Sequence, residues 1–104
     1  MLKRRWRDNE KEVPHVIYFV QGTIIPLIKI GIASDMYDRI KSMQTGSPDK
    51  LKIILLIGGS KDAEIKIQAR FEYLRRHGEW FAPEKELLDY IEDLKPYAVY
   101  RDEY

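Results

Sequence analysis

The chain contains no cysteine. That excludes a disulfide framework, a thiolate metal site and a cysteine nucleophile, and it removes redox logic as a guide to compartment. Long apolar runs are missing as well. The densest, Ile53-Ile54-Leu55-Leu56-Ile57, is far shorter than the roughly 20 residues a membrane-spanning helix needs, and Met1-Leu2-Lys3-Arg4 lacks the apolar core of a signal peptide. The expectation is a soluble cytoplasmic protein without a membrane partner. Neither sign of charge predominates: 18 Lys and Arg against 17 Asp and Glu leave a formal net charge of +1. Any polyanion binding must therefore rest on local patches rather than on a global field. Internal repeats and low-complexity tracts are also absent.

What is present suits one small domain. At 104 residues the chain can bury about two-thirds of its unfolded surface, and no second domain fits. Apolar content of 44% with 34% charged residues is ordinary for a folded protein, with disorder expected only at the ends. Residues 1–12 read as a basic arm, with Trp6 set among Lys3, Arg4, Arg5 and Arg7. Residues 13–96 form the domain, and residues 97–104 a tail carrying Tyr97, Tyr100 and Tyr104. A second basic cluster comprises Arg70, Arg75, Arg76 and His77.

Two β-branched runs, residues 15–21 and 25–33, separated by a turn around Gly22, predict a β-hairpin. Ser34 or Asp35 caps a helix whose inward stripe is Met36, Ile40 and Met43, closed by Gly46 and Pro48. The nearly continuous apolar run 52–57 predicts a central strand covered on both faces. Ser60 caps a second helix, with Ala63, Ile67, Phe71 and Leu74 inward and an end at His77-Gly78. Trp80 and Phe81 fall in a short loop, with Glu79 solvated. Pro83 opens a third helix that packs through Leu87, Leu88, Ile91 and Leu94 and stops at Pro96. The predicted fold is α+β: a three-stranded antiparallel sheet, hairpin plus central strand, flanked by three helices.

Polar residues interrupt this apolar frame at Tyr18, Lys29 and Gly31. Lys29 lies between Ile28 and Ile30, where a buried ammonium needs a partner or a route to water. Val16-Ile17-Tyr18, ten intervening residues, Lys29-Ile30-Gly31 and an arginine eight positions on, Arg39, together resemble the GIY-YIG nuclease superfamily. Glu64 with its neighbours Ile65, Lys66, Ile67 and Gln68 resembles the helix that supplies that family's metal-binding glutamate. Gly78-Glu79-Trp80-Phe81 resembles the ending of the subgroup with Lys-Ile-Gly in place of Tyr-Ile-Gly. The resemblance implies a metal-dependent endonuclease using Mg²⁺ or Mn²⁺, with DNA rather than RNA as partner and Tyr18, Lys29, Arg39 and Glu64 as its site.

Those residue types suit phosphodiester hydrolysis. A glutamate binds Mg²⁺ through oxygen and leaves the other positions to water and phosphate. A guanidinium fits phosphate and keeps its proton. Tyr18 serves as base only if its pKa falls, which a nearby Lys29 ammonium would favour. Two further readings stand beside this one: a nucleic-acid-binding module without turnover, and a protein adaptor using the tyrosine-bearing tail. A domain this small reads a long sequence only as a dimer or with a partner.

Overall fold

The structure is a computed structural model, and residues 15–99 are described. The basic arm with Trp6, and Tyr100 and Tyr104 of the tail, lie outside the described residues. Strand β1 (Val16–Gly22) and strand β2 (Ile28–Ala33) pair antiparallel with Tyr18 opposite Gly31 and Val20 opposite Lys29. Helix α1 (Met36–Thr45) follows, capped by Asp35, whose carboxylate accepts from the Asp38 amide. Strand β3 (Leu51–Gly58) returns antiparallel to β1. Helix α2 (Lys61–Arg70) is capped by the Ser60 hydroxyl. A 3₁₀ turn, Glu72–Leu74, leads into β4 (Arg75–His77) and β5 (Trp80–Phe81), and helix α3 (Lys85–Leu94) completes the order.

Five antiparallel strands therefore form the sheet, in the order β3-β1-β2-β5-β4, rather than the expected three. The added hairpin has a local cause. Helix α2 ends at Arg70, well short of His77, although Phe71 and Leu74 keep the helical spacing through the 3₁₀ turn. Arg75 then pairs with Glu72 and donates to the Gly78 carbonyl, which closes a two-residue turn. Gly78 takes φ +51°, open to glycine at no steric cost. Trp80 and Phe81, expected in a loop, are thereby drawn against β2 as a strand.

Strand β3 lies at the sheet's edge, not its centre. Its apolar run follows from layers above and below it rather than from two strand neighbours. The chain after α3 covers one end of that edge: Ala98 bridges Ile57, and the Val99 amide donates to the Leu56 carbonyl. The register slips between Phe19 and Val20, leaving Ile54 as the bulged residue of β3.

Helices sit on both faces. Helices α2 and α3 cover Ile17, Phe19, Ile28, Ile30, Leu55 and Phe81 with Ile67, Leu87 and Ile91. Full burial of such side chains contributes roughly 1.5–3 kcal/mol each. Helix α1 covers the opposite face, where Met36, with Ile40 and Met43, meets Tyr18, Val20, Ile53 and Leu56. Leu88, expected inward, is 41% exposed because α3 presents only Leu87 and Ile91 squarely to the sheet.

The β1–β2 connection is longer than expected, since β2 begins at Ile28 rather than residue 25. Asp49, between α1 and β3, holds this loop. Its carboxylate accepts from the amides of Thr23, Ile24 and Ile25 and from the Thr23 hydroxyl, at 2.8–3.3 Å. These donors hold its pKa below the ordinary carboxylate value.

Candidate functional site

Strand β5 spans two residues, so it pairs β2 only at Ile28 and Lys29. Beyond that the ladder stops. The Ile30 amide still donates to the Glu79 carbonyl at 3.0 Å, but the Ile30 carbonyl accepts instead from Gln68 Nε2 on α2 at 2.8 Å. A helix side chain thus takes over where the strand ends. This brings α2 and the β4–β5 turn together at the open half of the β2 edge.

Tyr18 reaches this edge from β1. It is buried, and a Cβ built on Gly31 would lie 2.3 Å from its hydroxyl and 2.4 Å from Cζ. Glycine at position 31 is therefore the space the phenol occupies. Burial first, then the charges of Glu79 and Glu64, push the Tyr18 pKa up to about 12 against the lowering effect of Arg39. The same balance places Arg39, Glu64 and Glu79 within electrostatic reach of one hydroxyl.

Glu64 is 1% exposed in the first turn of α2. Its Oε2 faces Gln68 Nε2 at 3.4 Å, and its Oε1 lies 2.7 Å from Lys61 Nζ as an ion pair. The buried Oε1 is therefore taken up by the Lys61 ammonium, a charge-assisted contact. Contact with Glu64, helped by the more distant Glu79, holds the Lys61 pKa above the ordinary lysine value. Arg39, exposed on α1, has no ion pair among the described residues, which leaves its guanidinium open to an incoming anion.

Of the four expected residues, Arg39 and Glu64 bear electrostatically on the Tyr18 hydroxyl, whereas Lys29 does not. Lys29 shares the sheet face with Tyr18 but packs over the Trp80 ring, 5.6 Å from its centroid, in an adjoining cavity. It is not among the charges that shift Tyr18, so the expectation that Lys29 would lower the phenol's pKa is corrected. Desolvation and two carboxylates prevail, and Tyr18 stays protonated at neutral pH.

Glu79 was expected in solvent. The hairpin turn instead leaves it half-buried beside the site, with no side-chain partner among the described residues. Its signal was the Gly-Glu-Trp-Phe string itself, which fixes a turn only once Trp80 and Phe81 are known to be a strand. The second basic cluster is largely engaged: Arg70 stacks on Tyr90, Arg75 binds Glu72, and Arg76 donates to the Leu74 carbonyl.

The resemblance also implies a divalent cation. Among the described residues no group of three His, Cys, Asp or Glu side chains is gathered to cage one. Glu64 is the carboxylate that would hold a hard cation, with the cation displacing the Lys61 contact and water and phosphate oxygens filling its other positions. No helix among the described residues is long and apolar enough to cross a membrane.

The T5orf172 domain model matches residues 15–95, most of the chain. The protein belongs to the T5orf172 domain family. This family is associated with nuclease-type modules, consistent with interaction with nucleic acid. No curated protein and no solved structure matches the chain. The matched span runs from just before β1 to the end of α3, so it includes Tyr18, Arg39, Glu64 and Glu79 together.

Proposed function

We propose that this T5orf172 protein is a metal-dependent endonuclease of GIY-YIG type acting on DNA. The observation that carries the reading is the Tyr18 hydroxyl, packed over Gly31 with the charges of Glu79, Arg39 and Glu64 bearing on it. A guanidinium without an ion pair among the described residues and a neutral phenol suit a phosphodiester passing through a more negative transition state, and Glu64 adds a buried carboxylate now paired with Lys61.

Arg39 binds the scissile phosphate with its fixed fork of donors. Tyr18, protonated, donates a hydrogen bond to a phosphate oxygen rather than removing a proton from water. Glu79, which has no partner among the described residues, takes the proton of the attacking water. Glu64, oriented by Gln68, holds the cation. Mg²⁺ or Mn²⁺, when bound there, supplies charge stabilisation for the phosphate and the leaving oxygen.

The test is nicking of supercoiled DNA with Mn²⁺ or Mg²⁺, expected for the wild type and lost in Glu64→Gln and Arg39→Ala. No metal-dependent cleavage of any DNA or RNA form would remove the enzymatic reading. A second reading, a binding module without turnover, is favoured by the described residues gathering no group of three metal-ligating side chains. Salt-dependent DNA binding that survives Glu64→Gln and needs no metal would select it.

A further inference from the structure

Next to the Tyr18 site, on the same face of the sheet, lies a cavity of about 400 Å³ that the catalytic reading leaves unused. Leu51 and Met43 line its apolar part and Ile25 its mouth, while Lys29, Trp80 and His77 supply a cation, an indole and an imidazole. We propose that this cavity receives one unstacked nucleobase of the strand whose phosphate occupies the neighbouring site. The base stacks against Trp80, and Lys29 meets the adjoining phosphate. This inference rests on the nucleic-acid reading above and names its substrate class: DNA with an unpaired or readily extruded base.

Four observations favour that occupant. The volume falls within the usual range for small planar ligands, and an apolar lining with a few polar groups is the usual composition of such sites. The Lys29 ammonium, 5.6 Å from the Trp80 centroid, puts positive charge beside an aromatic surface, the pairing that single-stranded nucleic acid favours. Asp49 also lines the cavity, but its carboxylate is taken up by the Thr23, Ile24 and Ile25 amides and the Thr23 hydroxyl, so it offers little repulsion to a phosphate. Lys29 precedes Gly31 by two residues on one strand, about 6.6 Å. A base in the cavity and a phosphate at Tyr18 therefore belong to the same short stretch of chain.

The mouth is also preorganised. Ile25 is 59% exposed, yet its amide donates to Asp49 at 2.9 Å, so an apolar rim is held in place before any ligand arrives. A base stacked within a duplex cannot enter such a cavity without leaving its neighbours. Preference for unpaired positions follows from that cost.

The experiment uses the full chain with Trp6→Phe, which leaves Trp80 as the sole indole reporter. The probes are a hairpin DNA with one extrahelical base, the same hairpin with an abasic residue at that position, and the fully paired hairpin. Binding is followed by anisotropy and, separately, by Trp80 emission. The expected result is saturable quenching of Trp80 by the extrahelical base only, with affinity on the order of tenfold weaker for the abasic and paired forms. Trp80→Phe keeps the discrimination and Trp80→Leu loses it, each checked for folding by circular dichroism. Equal affinity for all three DNAs with unchanged Trp80 emission overturns the cavity assignment and leaves the nucleic-acid reading standing. No binding to any of them, at low salt, overturns both.

Discussion

Tyr18 and Gly31 face each other across β1 and β2, and the phenol fills the space that any side chain at position 31 would need. An added methyl would lie 2.3 Å from the hydroxyl, so the ring must move or the strands must part. Gly31→Ala is therefore expected to destabilise the fold by about 1–3 kcal/mol, as overpacking does. It should also lower cleavage at least about tenfold through misplacement of the hydroxyl. Thermal melts of Gly31→Ala, Tyr18→Leu and the double variant provide the check. Less than additive destabilisation in the double variant is the expected mark of direct contact.

The raised Tyr18 pKa sets a pH dependence of definite sign. In the unfolded chain a tyrosine ionises near pH 10, whereas in the fold Tyr18 holds its proton to about 12, chiefly because it is buried. Its contribution to stability is fully present below pH 10 and is lost as pH rises toward 12. Tyr18→Phe should flatten that alkaline limb in chemical denaturation measured between pH 8 and about 12. Cleavage, likewise, should show no Tyr18-dependent rise through the neutral range. A Tyr18-dependent limb near pH 7 would return the phenol to the role of base.

The hairpin, the Asp35 and Ser60 caps and the stripe of α1 were legible because each rests on local signals: β-branched runs, capping side chains and helical spacing. The second hairpin was not. Arg75-Arg76-His77 carries no alternating pattern, and it becomes a strand only by pairing with Trp80 and Phe81 across the Gly78 turn. Phe71 and Leu74 prolonged the apparent helix because a 3₁₀ turn keeps buried residues three apart. Strand β3 read as central because a run apolar on both faces reports covering layers, not strand order. In the candidate site, Tyr18, Arg39 and Glu64 were named from the motif resemblance. Glu79 and Asp49 were missed, since a turn glutamate and a loop aspartate carry no signal until their partners are in place.

Gln68 joins α2 to β2, with its amide nitrogen on the Ile30 carbonyl at 2.8 Å and near Glu64 Oε2 at 3.4 Å. Replacing it by leucine keeps the bulk but leaves the carbonyl unpaired and Glu64 unsteadied. The expected cost is about 1–3 kcal/mol, the penalty of a buried polar group without a partner. Mn²⁺-dependent cleavage should fall while DNA affinity, carried by Arg39 and Lys29, holds. Equal losses in both would make Gln68 a purely structural strut.

Asp49 governs the rim of the Lys29–Trp80 cavity through three consecutive amides. Because those donors lower its pKa, its contribution to stability is present above the ordinary aspartate value near 3.9 and is lost as pH falls from there through its lower folded pKa. Asp49→Asn presents one amide oxygen where two carboxylate oxygens now accept, and its NH₂ would face the backbone amides. The variant should melt at lower temperature than wild type at pH 7, with the difference closing in strong acid. Gly22→Ala offers an independent probe of the same clamp, since its Cβ would lie 2.5 Å from Asp49 Oδ2 and 2.3 Å from the Ile25 carbonyl. Both variants should loosen residues 23–25 in hydrogen exchange and weaken discrimination for an extrahelical base more than they weaken binding to paired DNA. Unchanged exchange at Ile24 and Ile25 in Asp49→Asn would mean that the loop holds itself, and the cavity's rigidity would then need another source.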